Sequence, residues 1–221
     1  MQAFNKYFDH TLLKPDATIQ QILRLVSQAV CYDFASVCVN GCHVSSVRRF
    51  IDSAGSGVKV AAVAGFPLGA MDTRAKAFEA RLALDSGADE IDMVMNIGQA
   101  KAGNWAYVED EILTLSQICH ERGGLLKVII ETCLLTEEEI IRACRSCVNG
   151  EADFVKTSTG FSGAGANANT VRLMKETVGD RALVKASGGI RTLEDAEAMI
   201  RAGADRLGCS ASVEIMEEYR K

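Results

Sequence analysis

Two prolines and one tryptophan occur in the 221 residues, and aromatic residues make up only 6%. With so little proline and no Ser/Gly-rich tract, the chain has no candidate linker, so residues 1–221 read as a single domain. The sparse aromatics offer no stacking platform for nucleic-acid bases. Cations are also in the minority, with 24 Lys and Arg against 29 Asp and Glu, a net charge of −5. No basic run reverses that balance, which argues against a general nucleic-acid or acidic-membrane surface. A local cationic pocket for a small anion stays compatible with it. The longest uncharged apolar run, VAAVAGFPLGAM, is broken by Gly and Pro and is too short to span a bilayer. The opening MQAFNKYFDHTLLKPD lacks the apolar core of an export signal, so the expected compartment is the cytoplasm.

Cysteine is not scarce, since there are eight. Cys38, Cys133 and Cys209 fall in or at the ends of apolar strand-like segments, and Cys144 and Cys147 form a C-x-x-C within a helical pattern. No second Cys or His pair accompanies them, so packed thiols in a reducing compartment are expected rather than disulfides or zinc. His10, His43 and His120 lack metal-ligand spacing, and no metal is expected. Walker A, G-x-G-x-x-G and G-x-S-x-G patterns are missing from the contexts that give them meaning, and no cofactor is expected.

What the sequence does have is alternation. Strand-like runs occur at YFDHTLL, ASVCVN, VKVAAVAGF, DEIDMVMNI, LLKVIIET, DFVKTS, ALVKASG and DRLGCS, with helical patterns between them. TIQQILRLVSQAV sets Ile19, Ile22, Leu23, Val26 and Val30 on one stripe, and Thr18 with Gln21 fits a capping box, as does Thr136 with Glu139. GAD precedes the fourth and eighth strands and GEAD the sixth; from Asp89 to Asp205 is 116 residues, four units averaging 29. Strands alternating with helices specify βαβ units and a parallel sheet. Eight of them predict an α/β fold closed as a (β/α)8 TIM barrel with an extra N-terminal segment. An open doubly wound sheet is the alternative, but the glycine-rich turn it needs after the first strand is here LKPDAT.

In a barrel one face of each strand meets the helices and the other the lumen, so polar residues should gather on one parity. Asp9 and Thr11 share a parity, as do Ser36, Cys38 and Asn40, Asp92 and Asn96, Lys127 and Glu131, and Lys185 and Ser187. The sixth strand is less clean, because Phe154 shares the parity of Lys156. Asp9, Asp92, Lys127, Lys156 and Lys185 would then project into one lumen, near the strand ends where sites of this fold lie. Lys127, Lys156 and Lys185 recur at an interval of 29 residues. A buried ion pair or polar plug accounts for any one of them, but three amines beside two carboxylates cost stability unless used.

A lysine is a nucleophile only when neutral, and its reference pKa of about 10.4 leaves it protonated at neutral pH. Burial and a neighbouring cation both lower that pKa, so Lys156 beside Lys185 suits Schiff-base formation with a carbonyl, and Asp92 can shuttle protons. The glycine-rich SGGIRT after the seventh strand and GCSAS after the eighth fit a phosphate cradle built from Gly188, Gly189 and Ser210. Arg191 could add charge, and STGFSGAG, with Gly160, further backbone donors.

At these residues the chain resembles the deoxyribose-phosphate aldolases, class I aldolases. The resemblance runs through FDHTLLKPDAT, SVCVN, VAGFPLGA, EIDMVMNIG, LKVIIET, DFVKTSTGF, VKASGGIRT and DRLGCSAS, nearly the whole chain. It implies a (β/α)8 barrel that reversibly cleaves 2-deoxy-D-ribose 5-phosphate to acetaldehyde and D-glyceraldehyde 3-phosphate without a metal. It also implies Lys156 as the Schiff-base lysine, Lys185 as the residue that lowers its pKa and Asp92 in the proton relay. Gly188, Gly189 and Ser210 match the phosphate loops, and Asp9 and Thr11 the strand that helps hold the sugar. Cys38 matches a position near the aldehyde site, where an exposed thiol would be open to attack by aldehydes. Cytoplasmic location and a homodimer or higher homo-oligomer follow from the same resemblance. One departure is Cys209-Ser210-Ala211, where the family often carries further hydroxyl residues. A Schiff-base aldolase for another aldehyde pair, or a barrel that binds sugar phosphates without turnover, are the alternatives.

Overall fold

A computed structural model describes residues 2–221. Among them eight parallel strands close into a barrel in chain order. They are β1 (Phe8–Leu12), β2 (Ser36–Val39), β3 (Lys59–Ala64), β4 (Glu90–Val94), β5 (Leu125–Ile129), β6 (Phe154–Lys156), β7 (Leu183–Ser187) and β8 (Arg206–Cys209). Every predicted strand is present, and closure removes the open-sheet alternative. The surrounding helices are α1 (Ile19–Tyr32), α2 (Val44–Ser53), α3 (Thr73–Asp85), α4 (Ile97–Lys101), α5 (Trp105–His120), α6 (Glu137–Asn149), α7 (Ala168–Val178), α8 (Leu193–Arg201) and α9 (Ser212–Tyr219). None is long and apolar enough to cross a membrane.

Local chemistry sets the helix ends. Both expected capping boxes form: Gln21 and Glu139 donate their backbone N–H to Thr18 and Thr136 and accept from those residues in return. Thr192 and Asp195 make a third box, at the start of α8. The expected apolar stripe of α1 is rotated. Ile22, Leu25, Val26 and Ala29 are the buried residues, whereas Ile19 is 39% exposed. Small Ala29 takes a place on the buried face that the expected stripe gave to larger residues.

The Asp that recurs before β4, β6 and β8 has a specific task. Asp89, Asp153 and Asp205 accept the backbone N–H of Val60, Leu126 and Val184, each at 2.8 Å. Each carboxylate thus satisfies a donor in the strand before its own, stitching β3 to β4, β5 to β6 and β7 to β8 at the N-terminal rim.

The apolar parity packs against the helices as the main core, with Phe8, Val37, Val60, Ile91, Met93, Val128, Val184 and Leu207 among its fully buried members. A smaller cluster of Leu13, Cys38, Ala61 and Val63 fills part of the lumen. Phe154 also turns inward, and Lys127 Nζ lies 5.9 Å from its ring centroid. The mixed parity of β6 is therefore real: an apolar plate at the lumen floor with a lysine above it. The N-terminal segment is a 3-10 turn, Phe4–Tyr7, leading into β1. Phe4 stacks on Tyr219 with ring centroids 4.3 Å apart.

Candidate active site

Parallel pairing aligns the charged residues. Asp92 pairs in register with Lys127, Lys156 with Lys185, and Lys185 with Arg206. Asp92 is the hub. Its Oδ1 accepts from Lys127 Nζ at 2.8 Å, and its Oδ2 accepts from Lys156 Nζ at 2.7 Å and Lys185 Nζ at 2.8 Å. Lys127 has a second carboxylate in Glu90 at 2.6 Å, and Lys185 a second in Asp9 at 2.5 Å. Lys156 has Asp92 alone.

That difference separates three lysines which the sequence treats alike. Burial lowers the pKa of each, but Asp9 and Asp92 overcome it for Lys185, and Asp92 and Glu90 for Lys127, so both end above the ordinary lysine value. For Lys156 burial prevails: Asp92 opposes it, Lys185 adds to it, and the pKa falls. Burial also works against ionisation of Asp92 and Asp9. The surrounding cations win, Lys127 first for Asp92 and Lys185 first for Asp9, and both carboxyls lie well below their usual range.

Lys156 is also the lysine that reaches the open end. It lines a cavity of about 420 Å³ at the C-terminal ends of the strands, together with Thr11, Gly160, Gly188, Gly189 and Ser210. Lys14 and Arg191 bring cationic side chains to the same walls. Six expected site residues therefore meet there, with Asp92 and Lys185 directly beneath. Three others do not reach the cavity. Asp9 and Lys127 are fully buried in ion pairs below it, so the structure gives them no direct access to a substrate. Cys38 is also fully buried, its Sγ 3.9 Å from Asp92 Oδ2, and burial pushes its thiol up to about 11. The expected exposure of this thiol is therefore corrected, since the structure buries it. Cys144 and Cys147 are buried free thiols in α6, and all eight cysteines are free.

The cavity walls are held by the loops after β6 and β7. Ala166 donates its N–H to Ser187 O and Gly188 O at 3.1 and 3.0 Å. A Cβ on Gly165 would lie 2.1 Å from Gly188 O, so only glycine permits this approach. Glu131, just past β5, adopts a left-handed φ of 53° and accepts from Thr159 N, Thr159 Oγ and Ser162 Oγ, the last at 3.1 Å. It thereby fastens the β6 loop. A neighbouring fully buried pair, Lys76 with Glu111 at 2.8 Å, grips the end of β4: Lys76 donates to Val94 O at 2.8 Å, and Glu111 accepts from Asn96 N at 2.9 Å.

The departure at Cys209-Ser210-Ala211 has a structural consequence. Ala211 stands at the N-cap of α9 without a side-chain hydrogen bond. Ser212 is turned away, donating to Cys209 O at 3.1 Å. The backbone donors of the first turn of α9 are therefore left without a side-chain cap beside the cavity, an arrangement suited to an anion. At α8 the Thr192–Asp195 box has already occupied the corresponding donors.

Glu90, Arg206 and Lys14 escape the sequence reading, which places Glu131 on the lumen parity but gives it no task. Glu90 shares the parity of Asp92 within the run DEIDMVMNI and could have been found by following that parity back from Asp92. Arg206 sits at the start of β8 beside Asp205, but the carboxylates it pairs with, Asp9 and Glu90, come from distant strands. Lys14 lies in a turn, where strand parity has no meaning.

The comparisons agree with this geometry. Residues 4–215 match the family model described as DeoC/LacD family aldolase. A protein of Finegoldia magna named deoxyribose-phosphate aldolase is 54% identical over 213 residues, covering 96% of this chain and 98% of that protein. One of Thermococcus gammatolerans with the same name is 53% identical, covering 97% and 96%. The solved deoxyribose phosphate aldolase of Aeropyrum pernix, described as a unique tetramer, superimposes with a TM-score of 0.91 at 31% identity, covering 99% of this chain and 91% of that one. This chain belongs to the DeoC/LacD family of aldolases.

Proposed function

We propose that this aldolase cleaves 2-deoxy-D-ribose 5-phosphate reversibly to acetaldehyde and D-glyceraldehyde 3-phosphate through a Schiff base on Lys156. The observation that carries the reading is the asymmetry among the lumen lysines: Lys156 alone lines the cavity, has one carboxylate partner and has a lowered pKa.

The neutral amine of Lys156 adds to the C1 aldehyde of the open-chain sugar, and loss of water gives a protonated imine. The imine draws electrons from the C2–C3 bond, which breaks as the C3 hydroxyl gives up its proton. D-glyceraldehyde 3-phosphate leaves, and an enamine remains on Lys156. Protonation at C2 and hydrolysis release acetaldehyde and restore the amine. Asp92, bonded to both Lys156 and Lys185, relays protons in these steps, directly or through water. Lys185 stays charged between two carboxylates and disfavours a second charge on Lys156. The loops at Gly188, Gly189 and Ser210, with the uncapped start of α9, hold the phosphate, and Lys14 and Arg191 add positive potential. The relatives' names support the substrate. The same reading carries the cytoplasm as the compartment and an assembly of more than one copy.

Borohydride trapping with deoxyribose 5-phosphate and with acetaldehyde, followed by peptide mass mapping, tests the proposal. A reduced adduct on Lys156 is expected. An adduct on Lys185 or Lys127 would overturn the assignment, and no adduct without retro-aldol activity would leave a sugar-phosphate binder.

A further inference from the structure

Below Asp92 the lumen holds charges for which the reaction above has no use. Arg206 donates from Nη2 to Glu90 Oε1 at 2.7 Å, and its Nε lies 3.2 Å from Asp9 Oδ1. Glu90 gives its other oxygen to Lys127 at 2.6 Å, Lys127 reaches Asp92 at 2.8 Å, and Asp92 meets Lys156 at 2.7 Å. A second branch runs from Arg206 through Asp9 and Lys185 to the same oxygen of Asp92. Both branches begin at the N-terminal rim, where Glu90 and Arg206 line a depression on the outer face of the barrel floor.

The titratable groups that the strands turn into this lumen are Asp9 on β1, Cys38 on β2, Glu90 and Asp92 on β4, Lys127 on β5, Lys156 on β6, Lys185 on β7 and Arg206 on β8; β3 contributes only Ala61 and Val63. The Cys38 thiol stays neutral at physiological pH, so four cations face three carboxylates. Above them Glu131 is occupied by the β6 loop, and Lys14 and Arg191 add only further positive charge. The column is therefore one positive charge in excess until one cation gives up its proton. Lys156, with half a share of one oxygen, is the member least able to keep it.

We infer that Glu90 and Arg206 are positioning residues for the reaction, setting with opposite signs, from the floor of the barrel, how much of Asp92 is left to hold a proton on Lys156. Glu90 detains Lys127. Without it Lys127 leans wholly on Asp92, and one negative charge is gone, so both effects release the proton from Lys156. Arg206 detains Glu90 and Asp9. Without it those carboxylates hold Lys127 and Lys185 more firmly, Asp92 is freed for Lys156, and one positive charge is gone, so both effects retain the proton. The inference rests on the Schiff-base reading.

The test is the pH dependence of imine trapping by acetaldehyde and cyanoborohydride, mapped to Lys156, in the whole protein and in Glu90→Gln, Arg206→Gln and the double variant. A unit charge two ion pairs away, at an effective dielectric of about 20, moves a titration by on the order of one pH unit. The acid limb should move to lower pH in Glu90→Gln and to higher pH in Arg206→Gln. It should return toward the parent in the double variant, and Arg206→Lys should restore it. A merely structural role would lower the melting temperature and the plateau rate and leave the limb in place. If Glu90→Gln does not fold, the Arg206 pair still decides the sign. Shifts in the same direction, or unmoved limbs in folded variants, would overturn the inference. A parent that traps nothing on Lys156 would instead overturn the proposed function.

Discussion

Replacing Lys185 with methionine keeps most of the side-chain volume and removes one charge from the column. In the parent, Asp92 Oδ2 is shared between Lys156 at 2.7 Å and Lys185 at 2.8 Å, so the two nitrogens are close neighbours. At a separation of about 5 Å and an effective dielectric of about 20, their repulsion is worth about 3 kcal/mol. Losing it, and giving Oδ2 wholly to Lys156, should cut the neutral fraction of that amine by about two powers of ten. Turnover of deoxyribose 5-phosphate near pH 7 should fall by about that factor and recover as pH rises, because alkali supplies the neutral amine that Lys185 no longer promotes. Steady-state kcat/KM from pH 6 to 10 reads this directly. A loss that is the same at every pH would mean that Lys185 acts by some other route, and activity near the parent's at pH 7 would refute the argument outright.

Four further outcomes follow from the same geometry. Lys156→Leu should abolish both turnover and trapping while circular dichroism still reports a folded barrel; residual adduct at another lysine would count against the assignment. Gly165→Ala puts a Cβ where 2.1 Å separates it from Gly188 O. A strain of about 1–3 kcal/mol should open the phosphate loops, raising KM for the phosphorylated sugar about tenfold with little effect on acetaldehyde trapping. Cys38→Ala should lose activity in acetaldehyde as fast as the parent, since the thiol is buried; protection would restore the reactive-thiol idea. Asp9 and Asp92 have folded pKa values below the ordinary 3.8, so the stability they contribute is full above that pH and is lost as pH falls through the lowered values. Urea midpoints should decline steeply in acid, and a flat profile would contradict the ion-pair network.

How far the sequence reaches depends on the range of the interaction concerned. The strands and most helix ends are written in local terms: strand parity, capping pairs such as Thr18–Gln21 and Thr136–Glu139, and the Asp before β4, β6 and β8. Parity also places the polar residues on one face, and so Asp92, Lys127, Lys156 and Lys185 in one lumen. The resemblance singles out Lys156 among the lysines, and it also implies an exposed Cys38, which the structure buries. Spacing of 29 residues treats the three lysines as equals, because each is one step round the same barrel. What distinguishes them is the number of carboxylates each can touch, and those partners come from strands as far off in sequence as β1, which supplies Asp9 to Lys185. Closure of the barrel decided which oxygen is shared, which thiol is covered and which amine faces the opening. Proton affinity depends on burial and on distances of a few ångströms between strands, and neither exists until the eighth strand meets the first.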